Sequence, residues 1–574
     1  MEFLSRLQLP RGRCWCAQSV ILVLGLVALQ STTFKCTVVV CSQVKATAYE
    51  ADIAAARRTL TASGGIPALD NYTGLYRPQV HFSPPQQFMN DPNGLHKDAK
   101  GTYHLYYQYN PTGLVAGNQH WGHATSKDLY HWENQPIAIY PPPSDSQVFS
   151  GSAVIDSNNT SGFFPNQTDG VVAIYTLNSP SAEVQEIAYS HDGGYTFTRY
   201  DGNPVIDVNS TQFRDPKVIW HEKTQRWIMV VSHAQDFVIA FYTSPDLKAW
   251  TLVTNFSHQG LLGSQWECPN LVPMPVRDIA SGELIEHQDM YLLAISVNPG
   301  APLGGSATQY FPGTFNGTTF TAIDRTVRLT DFAKDNYAGQ FFYGIPDDED
   351  PISIAWASNW QYAEQVPTAQ EGWRSAMSVP RRNFLANTPS TGWVLVSRPH
   401  DLRPILGQVL VEKEWRAEGG ISNASILTES GVVHLNVAVS GLLGSIPADS
   451  SLEIALSTSD SQESLSCGYS FSDNAFFLDR GNTRGFQDPT FTSNFSTSVF
   501  PREDGTWTMS AVVDRSIIEV FLNEGIASAT SVFFATQPLT SISISTAGLP
   551  SGATTKVELR ALESVWGAIG NDTV

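Results

Sequence analysis

The chain has 574 residues and a formal charge of −20, from 34 Lys+Arg against 54 Asp+Glu. That length allows about two to four domains, and the acidic balance argues against a nucleic-acid partner. Charged residues make up only 15% of the chain and aromatics 11%, the reverse of a disordered composition. The N-terminus carries Arg6, Arg11 and Arg13 and then an apolar run over 19–29. This pattern predicts a secretory leader and is short for a comfortable membrane span; an uncleaved anchor is the competing reading. Sequons at Asn71, Asn158, Asn159, Asn166, Asn209, Asn255, Asn316, Asn423, Asn494 and Asn571 agree with secretion and N-glycosylation. Four of the six cysteines fall in the first 45 residues, leaving Cys268 and Cys467, so a disulfide-dense scaffold is excluded.

After an Ala-rich helical piece over 49–63, the texture becomes short apolar runs separated by Gly, Asn and Asp turns. A repeat emerges. Residues 126–132 read SKDLYHW and 244–250 read SPDLKAW, with a longer cousin at 190–197 (SHDGGYTF) and a looser one at 314–320 (TFNGTTF). Each predicts a hairpin with an Asp or Asn turn and an aromatic packing back on the sheet. Strand pairs open near Asp91, Ser150, Asp215, Glu267 and Gln340. Five units of short strands predict an all-β, five-bladed propeller.

The texture shifts after Arg382. Pro389, Pro399 and Pro404 suggest a linker, and the Ser/Thr-rich strands beyond it predict a β-sandwich, with a hairpin turn at Asp514-Arg515-Ser516. The expected organisation is a leader over 1–45, an extension over 46–75, a propeller over 76–395, a linker over 396–420 and a sandwich over 421–574.

Three acids each open a unit beside a proline: Asp91 in NDPNG, Asp215 in FRDP and Glu267 in WECP. Equivalent positions on innermost propeller strands converge on the central channel, so these acids are expected to meet. Crowded carboxylates raise one another's pKa and can divide the roles of acid and nucleophile, as glycoside hydrolysis requires. Divalent-metal binding is the rival use, but no D-x-D-x-D-G spacing or His pair supports it. The expectation is no metal and no cofactor.

Six motifs in order carry a resemblance: 81–94 (HFSPPQQFMNDPNG), 120–124 (HWGHA), 149–152 (FSGS), 213–218 (FRDPKV), 266–269 (WECP) and 373–378 (WRSAMS). Together they resemble glycoside hydrolase family 32, which holds invertases, inulinases and fructosyltransferases. STQFRDPKV, SVNPGAP and IAWASNW resemble its fungal members. The resemblance spans about 80–545. It implies a five-bladed propeller followed by a β-sandwich, and retaining cleavage of terminal β-fructofuranosides, sucrose first. It implies Asp91 as nucleophile, Glu267 as acid/base and Asp215 as transition-state stabiliser. Asn90, Gln108, Trp121, Phe149, Ser150, Arg214 and Trp360 match substrate-binding positions. A small-molecule carbohydrate is the expected partner, with no nucleic acid, no stable membrane span and a homo-oligomer through the sandwich as a further possibility.

The sequence departs from the family pattern at Phe88 and Ala116, where relatives usually carry Trp, and at Gly372, where the usual P-W-R-S reads G-W-R-S. These departures leave fructosyl transfer and exo-inulinase activity as alternatives to hydrolysis, since water and a second sugar compete for one intermediate. A non-catalytic carbohydrate-binding propeller is the distant alternative, weakened by the complete acid trio.

Overall fold

The computed structural model describes residues 72–566 except 144, 286–288, 347–348, 418–421 and 429, without the side chains of Ser422 and Asn423. The leader, the segment over 49–63 and the sequons at Asn71 and Asn571 lie outside the described residues.

The first twenty-two strands form five sheets around one axis. Blade I holds β1 (Gln87–Lys97), β2 (Tyr103–Asn110), β3 (His120–Ser126) and β4 (Trp132–Ile139). Blade II holds β5 (Gln147–Ile155), β6 (Val171–Asn178), β7 (Glu183–Ser190) and β8 (Thr198–Arg199). Blade III holds β9 (Phe213–His221), β10 (Arg226–His233), β11 (Val238–Ser244) and β12 (Thr251–Phe256). Blade IV holds β13 (Trp266–Pro273), β14 (Tyr291–Val297), β15 (Ala307–Phe315) and β16 (Phe320–Ala322), with β17 (Arg328–Leu329) also pairing β15. Blade V holds β18 (Tyr337–Phe341), β19 (Ile352–Trp356), β21 (Arg381–Thr388) and β22 (Gly392–Pro399). The two-residue β20 (Trp373–Arg374) leaves blade V to pair in parallel with β1. Reciprocal backbone bonds between Leu95–Lys97 and Tyr343 join blade V to blade I.

The four repeat segments each connect the third strand of a blade to its outer strand, as their spacing predicts. In blade I, Asp128 accepts bonds from the Tyr130 and His131 amides, and Ser126 Oγ accepts from Leu129 N. Asp246, Asp192 and Asn316 do the same in blades III, II and IV. These side chains replace a backbone turn with their own oxygen. Leu129 and Leu247 take φ of 71° and 63° there, a left-handed conformation that the surrounding Asx bonds hold in place.

Inner strands are buried on both faces, as in β2 and β3 where every residue is buried, because blades stack face to face. Val172, Met229 and Val231 lie in the core shared by blades II and III; Val230, Phe241 and Phe311 fill that between III and IV.

The remaining strands form two six-stranded sheets. These are β23 (Leu406–Arg416), β24 (Ser422–Leu427), β25 (Val432–Ser440), β26 (Ser451–Ser457), β27 (Ser464–Ser470), β28 (Ala475–Asn482), β29 (Asn494–Ser498), β30 (Trp507–Asp514), β31 (Ile517–Leu522), β32 (Ala527–Val532), β33 (Ser541–Ala547) and β34 (Thr554–Leu562). One sheet runs β23-β34-β25-β30-β31-β32 and the other β24-β33-β26-β27-β28-β29. Here burial alternates along β26 and β33, the mark of strands with one face on a core. Leu452, Leu478, Trp507 and Ile544 fill the space between the sheets.

The expected linker over 396–420 is corrected. β22 runs to Pro399 and β23 pairs with β34 from Leu406 to Arg416, so a short 3-10 turn at Arg403–Ile405 is the main connection. Two of the three prolines mark strand ends, Pro389 after β21 and Pro399 closing β22, and Pro404 sits in the 3-10 turn.

Propeller and sandwich are locked by a buried ionic network. Asp514, at the 514–516 hairpin, accepts from the amides of Gln79, Val80 and His81 at 2.7, 2.8 and 3.1 Å. The His81 ring bridges Asp514 at 2.8 Å and Glu519 at 3.1 Å. Glu519 also holds Arg381, which reaches Asp331. Burial alone would lower the His81 pKa, but its bonds to Asp514 and Glu519 raise it to about 9. A histidine whose pKa is higher folded than unfolded stabilises fully below about 6.5 and loses that contribution as pH rises through about 9. Melting temperature is therefore expected to fall between pH 7 and pH 10 more steeply in the wild type than in His81→Gln. Parallel slopes would show that His81 is not charged.

Candidate active site

Each of the five inner strands carries a β-bulge at the same level. Two residues face one on the neighbouring strand at Asn90-Asp91, Phe149-Ser150, Asp215-Pro216, Cys268-Pro269 and Ala338-Gly339. Asp215, Cys268 and Ala338 adopt φ of 66°, 45° and 51°. A bulge breaks the in–out alternation and re-aims side chains, so five bulges in phase turn a ring of side chains toward the axis. The prolines after Asp215 and Cys268 donate no ladder bond, which suits a bulge.

This register corrects the expectation that the three acids occupy equivalent positions. Asp91 is the second bulge residue, Asp215 the first, and Glu267 precedes the bulge. Each acid has a partner at its own level. Ser150, equivalent to Asp91, donates Oγ–H to Asp91 Oδ2 at 2.9 Å. Cys268, equivalent to Asp215, donates its amide to Asp215 Oδ2 at 3.0 Å. Arg214 and Tyr337, equivalent to Glu267, both donate to Glu267, Arg214 through Nε at 3.1 Å and Nη2 at 3.0 Å.

The acids do converge. Cys268 Sγ lies 3.4 Å from Asp91 Oδ2 and 3.5 Å from Asp215 Oδ2, bridging the two levels. Burial pushes the Cys268 thiol well up, so it stays protonated and can donate to either carboxylate. Cys268 is thus the contact between Asp91 and Asp215.

Burial shifts both aspartates in the same direction. Burial raises the Asp91 pKa above the usual carboxylate range, opposed by hydrogen bonds from Ser150 and Asn90. Burial also raises Asp215, opposed by the Arg214 charge and reinforced by Glu267 and Asp91. Arg214 would lose charge through burial, but Glu267, Asp215 and Glu183 hold it cationic. Tyr337 remains a phenol, its pKa raised by burial and by the Glu267 charge. Of the partners around these carboxylates only Arg214 is cationic. Such a site favours positive charge developing on a bound ligand.

The other expected site residues fall in different places. Asn90 Nδ2 donates to Asp91 Oδ1 at 3.1 Å, while its oxygen accepts from Gln119 Nε2 at 2.8 Å. Gln108 lies opposite the Asn90-Asp91 bulge; its oxygen also accepts from Gln119, at 3.2 Å, and its buried Nε2 has no partner among the described residues. That nitrogen is a donor suited to a ligand hydroxyl. Trp360 is half-buried and packs on Trp356 and Phe88, with ring centroids 4.8 and 6.2 Å apart. Ala116 joins this apolar cluster.

Trp121 is corrected. It is 0% exposed, in the core with Tyr106, Val148 and Tyr175, and it cannot stack on a sugar. Its indole N–H instead donates to the Phe149 carbonyl at 3.0 Å, steadying the bulge beside Ser150. Phe149 itself is half-buried. Sequence reasoning missed Tyr337, Gln119, Glu183 and Gln265. Gln265 donates to Glu267 at 3.0 Å, and Glu183 accepts from Arg214 Nη1 at 3.1 Å through both oxygens. Tyr337 had a usable signal, since it stands in the fifth blade where Glu267 stands in the fourth.

Ser150 tests the electrostatic reading. Its hydroxyl stabilises the Asp91 anion, so Ser150→Ala should raise the Asp91 pKa and move the acid limb of kcat/KM to higher pH. Loss of a charged hydrogen bond of about 1.5–3 kcal/mol implies about a ten- to hundredfold fall in kcat/KM. An unmoved acid limb would show that Asp91 is not the group titrating there.

The comparisons agree with this architecture. Residues 81–399 match the glycosyl hydrolases family 32 N-terminal domain, and residues 412–562 match the family 32 C-terminal domain. The chain is 42% identical over 492 residues to invertase 2 of Saccharomyces cerevisiae, covering 80% of this chain and 90% of that one. It is 41% identical over 479 residues to an extracellular exo-inulinase of Meyerozyma guilliermondii, with the same coverages of 80% and 90%. Among solved structures, fructofuranosidase from Schwanniomyces occidentalis complexed with fructose superposes with a TM-score of 0.78 at 36% identity, covering 86% of this chain and 99% of that one. With five blades, a sandwich, an axial cluster of three acids and both domain families matched in order, the chain belongs to glycosyl hydrolase family 32.

Proposed function

We propose that the protein is a retaining β-fructofuranosidase that cleaves sucrose to glucose and fructose. The observation that carries this reading is the convergence of Asp91, Asp215 and Glu267 under five in-phase bulges, in a chain whose relatives include an invertase and a fructofuranosidase bound to fructose. An Asp91 carboxylate oxygen attacks C2 of the fructosyl unit. The C2–O bond to glucose breaks, and its electron pair takes the proton from Glu267. In the second step Glu267 removes a proton from water, the water oxygen bonds to C2, and the Asp91 carboxylate leaves. Tyr337, Arg214 and Gln265 fix the orientation of Glu267. Asp215 accepts from sugar hydroxyls and offsets the positive charge at C2. Asn90 and Gln108 supply further polar contacts.

Free glucose and free fructose from sucrose test the reading. Equal amounts at low sucrose support it; no release of either sugar sinks it and directs attention to longer fructans.

A second reading is fructosyl transfer, favoured by the open rim at Ala116. A side chain at neighbouring Gly117 would meet nothing within 4 Å, and Ala116 contributes one methyl beside Phe88 and Trp360. Ala116→Trp is expected to narrow the acceptor side. At high sucrose it should bring the glucose-to-fructose ratio closer to one than in the wild type. An unchanged ratio would place acceptor choice elsewhere.

The sequons at Asn158, Asn166, Asn209, Asn255, Asn316 and Asn494 are exposed, which supports a secreted glycoprotein. Asn159 is half-buried, with its side-chain oxygen held by Phe164 N at 2.7 Å, so it is a poor acceptor. A gel shift on endoglycosidase treatment of the native protein checks this reading, and no shift would refute it.

A further inference from the structure

A cleft of about 700 Å³ lies between blade V and the sandwich, and none of the three acids lines it. Its propeller wall carries Arg382 and Arg398, the connecting turn adds Arg403, and its sandwich wall carries His434, Thr508 and Lys556. Four cationic side chains face three carboxylates there, Asp401, Glu524 and Glu558, in a chain whose net charge is −20.

Arg403 is bonded by Asp401, but the Arg382–Arg398 pair is poorly satisfied from within. Arg398 Nη1 reaches Glu524, itself 48% exposed, at 3.4 Å. Lys556 pairs with Glu412 at 3.4 Å, both more than half exposed. Arg403 is 85% exposed and pairs with Asp401 two residues away. Such exposed pairs contribute little. The Arg398 Nε is buried with no partner among the described residues. Burial lowers the Arg398 pKa and the neighbouring Arg382 charge lowers it further. A buried guanidinium N–H without an acceptor is costly, and an anion between two arginines relieves both the missing bond and the repulsion.

The facing wall offers neutral groups. His434 is 8% exposed and its Nε2 bonds Ser510 Oγ at 2.8 Å, while its Nδ1 is buried and unpartnered. Burial holds its pKa at about 4, so the ring is neutral. Thr508 Oγ1 is likewise buried and unpartnered. The Arg382–Arg398 pair on one side and the unpartnered His434 and Thr508 atoms on the other, away from the exposed Glu524, match a ligand with a carboxylate and several hydroxyls. The volume lies within the range of small-molecule sites.

We propose that this cleft is a second saccharide site, for a carboxylate-bearing oligosaccharide. Its carboxylate sits against Arg382 and Arg398 and its hydroxyls against His434 and Thr508. The site is separate from the fructosyl-transfer chemistry and would tether the enzyme to acidic polysaccharide.

Calorimetric titration of trigalacturonate into the full-length protein at low salt tests this, with maltotriose as the neutral control. The expected result is one binding site, weakened about tenfold or more in Arg382→Gln/Arg398→Gln, with sucrose cleavage unchanged within about twofold. Lys556→Gln, on an exposed side chain that the fold does not need, should also weaken binding and keeps the test decisive if the double variant misfolds. No binding, binding unchanged in these variants, or equal binding of maltotriose would overturn the proposal.

Discussion

Asp91→Asn is expected to lower kcat on sucrose by at least about 10⁴-fold, a loss of about 5 kcal/mol of transition-state stabilisation. The amide keeps the shape of the carboxylate and can still meet Ser150 and Cys268, so the local structure persists while the proposed nucleophile is gone. The same substitution should leave the melting temperature unchanged or raise it. Burial raises the Asp91 pKa above the ordinary carboxylate value, so its charged form destabilises the fold at neutral pH, and a neutral amide removes that cost. Activity and stability moving in opposite directions is the signature of a residue kept for chemistry. A variant that loses activity and melts several degrees lower would instead mark Asp91 as structural.

The second large effect is predicted in the sandwich, on β31. Glu519 is 0% exposed. It accepts from His81, from both Nε and Nη2 of Arg381, and from the Val379 amide. Glu519→Ala strands two buried cations and a backbone N–H. Breaking a buried pair from one side costs about 3–5 kcal/mol, and denaturant unfolding should read that loss. The pair itself is replaceable: Arg381→Met combined with Glu519→Leu should cost less than Glu519→Ala alone, because neither charge is left uncompensated. A Glu519→Ala protein as stable as the wild type would mean that water or a shifted Asp331 takes over the role of the carboxylate.

Much of the architecture was legible because its signals are local. The S-x-D-L-x-x-W hairpins are built by the oxygens of Asp128 and Asp246 on amides two and three residues away, so the repeat carries its own structural cause. The five strand openings were legible for a similar reason, each being a short buried run next to Gly, Asn or Pro. What stayed hidden depends on register. A bulge is one extra residue on one strand, and no composition rule distinguishes Asp91 as second bulge residue from Asp215 as first. That offset decides which side chains share a level, and hence why Tyr337 and Arg214 hold Glu267. Trp121 was misplaced because a tryptophan in a motif reads equally as sugar platform and as core; its zero exposure and its bond to the Phe149 carbonyl assign it to the core. The prolines near 389–404 suggested a linker because proline marks strand ends as readily as loops. The ionic lock joining His81, Asp514, Glu519 and Arg381 spans more than four hundred residues of sequence and leaves no periodic trace.

The central claim is that the carboxylate of Asp91 forms a covalent bond to fructose. It is tested most directly by mixing the Glu267→Gln variant with a fructoside that bears an activated leaving group and needs no proton from Glu267. The quenched protein is then digested and its peptides mapped by mass. The account predicts one added fructosyl residue on the peptide containing Asp91, appearing before free fructose accumulates. A fructosyl group on the Asp215 peptide, or fructose released with no adduct and with inverted configuration at C2, would contradict it.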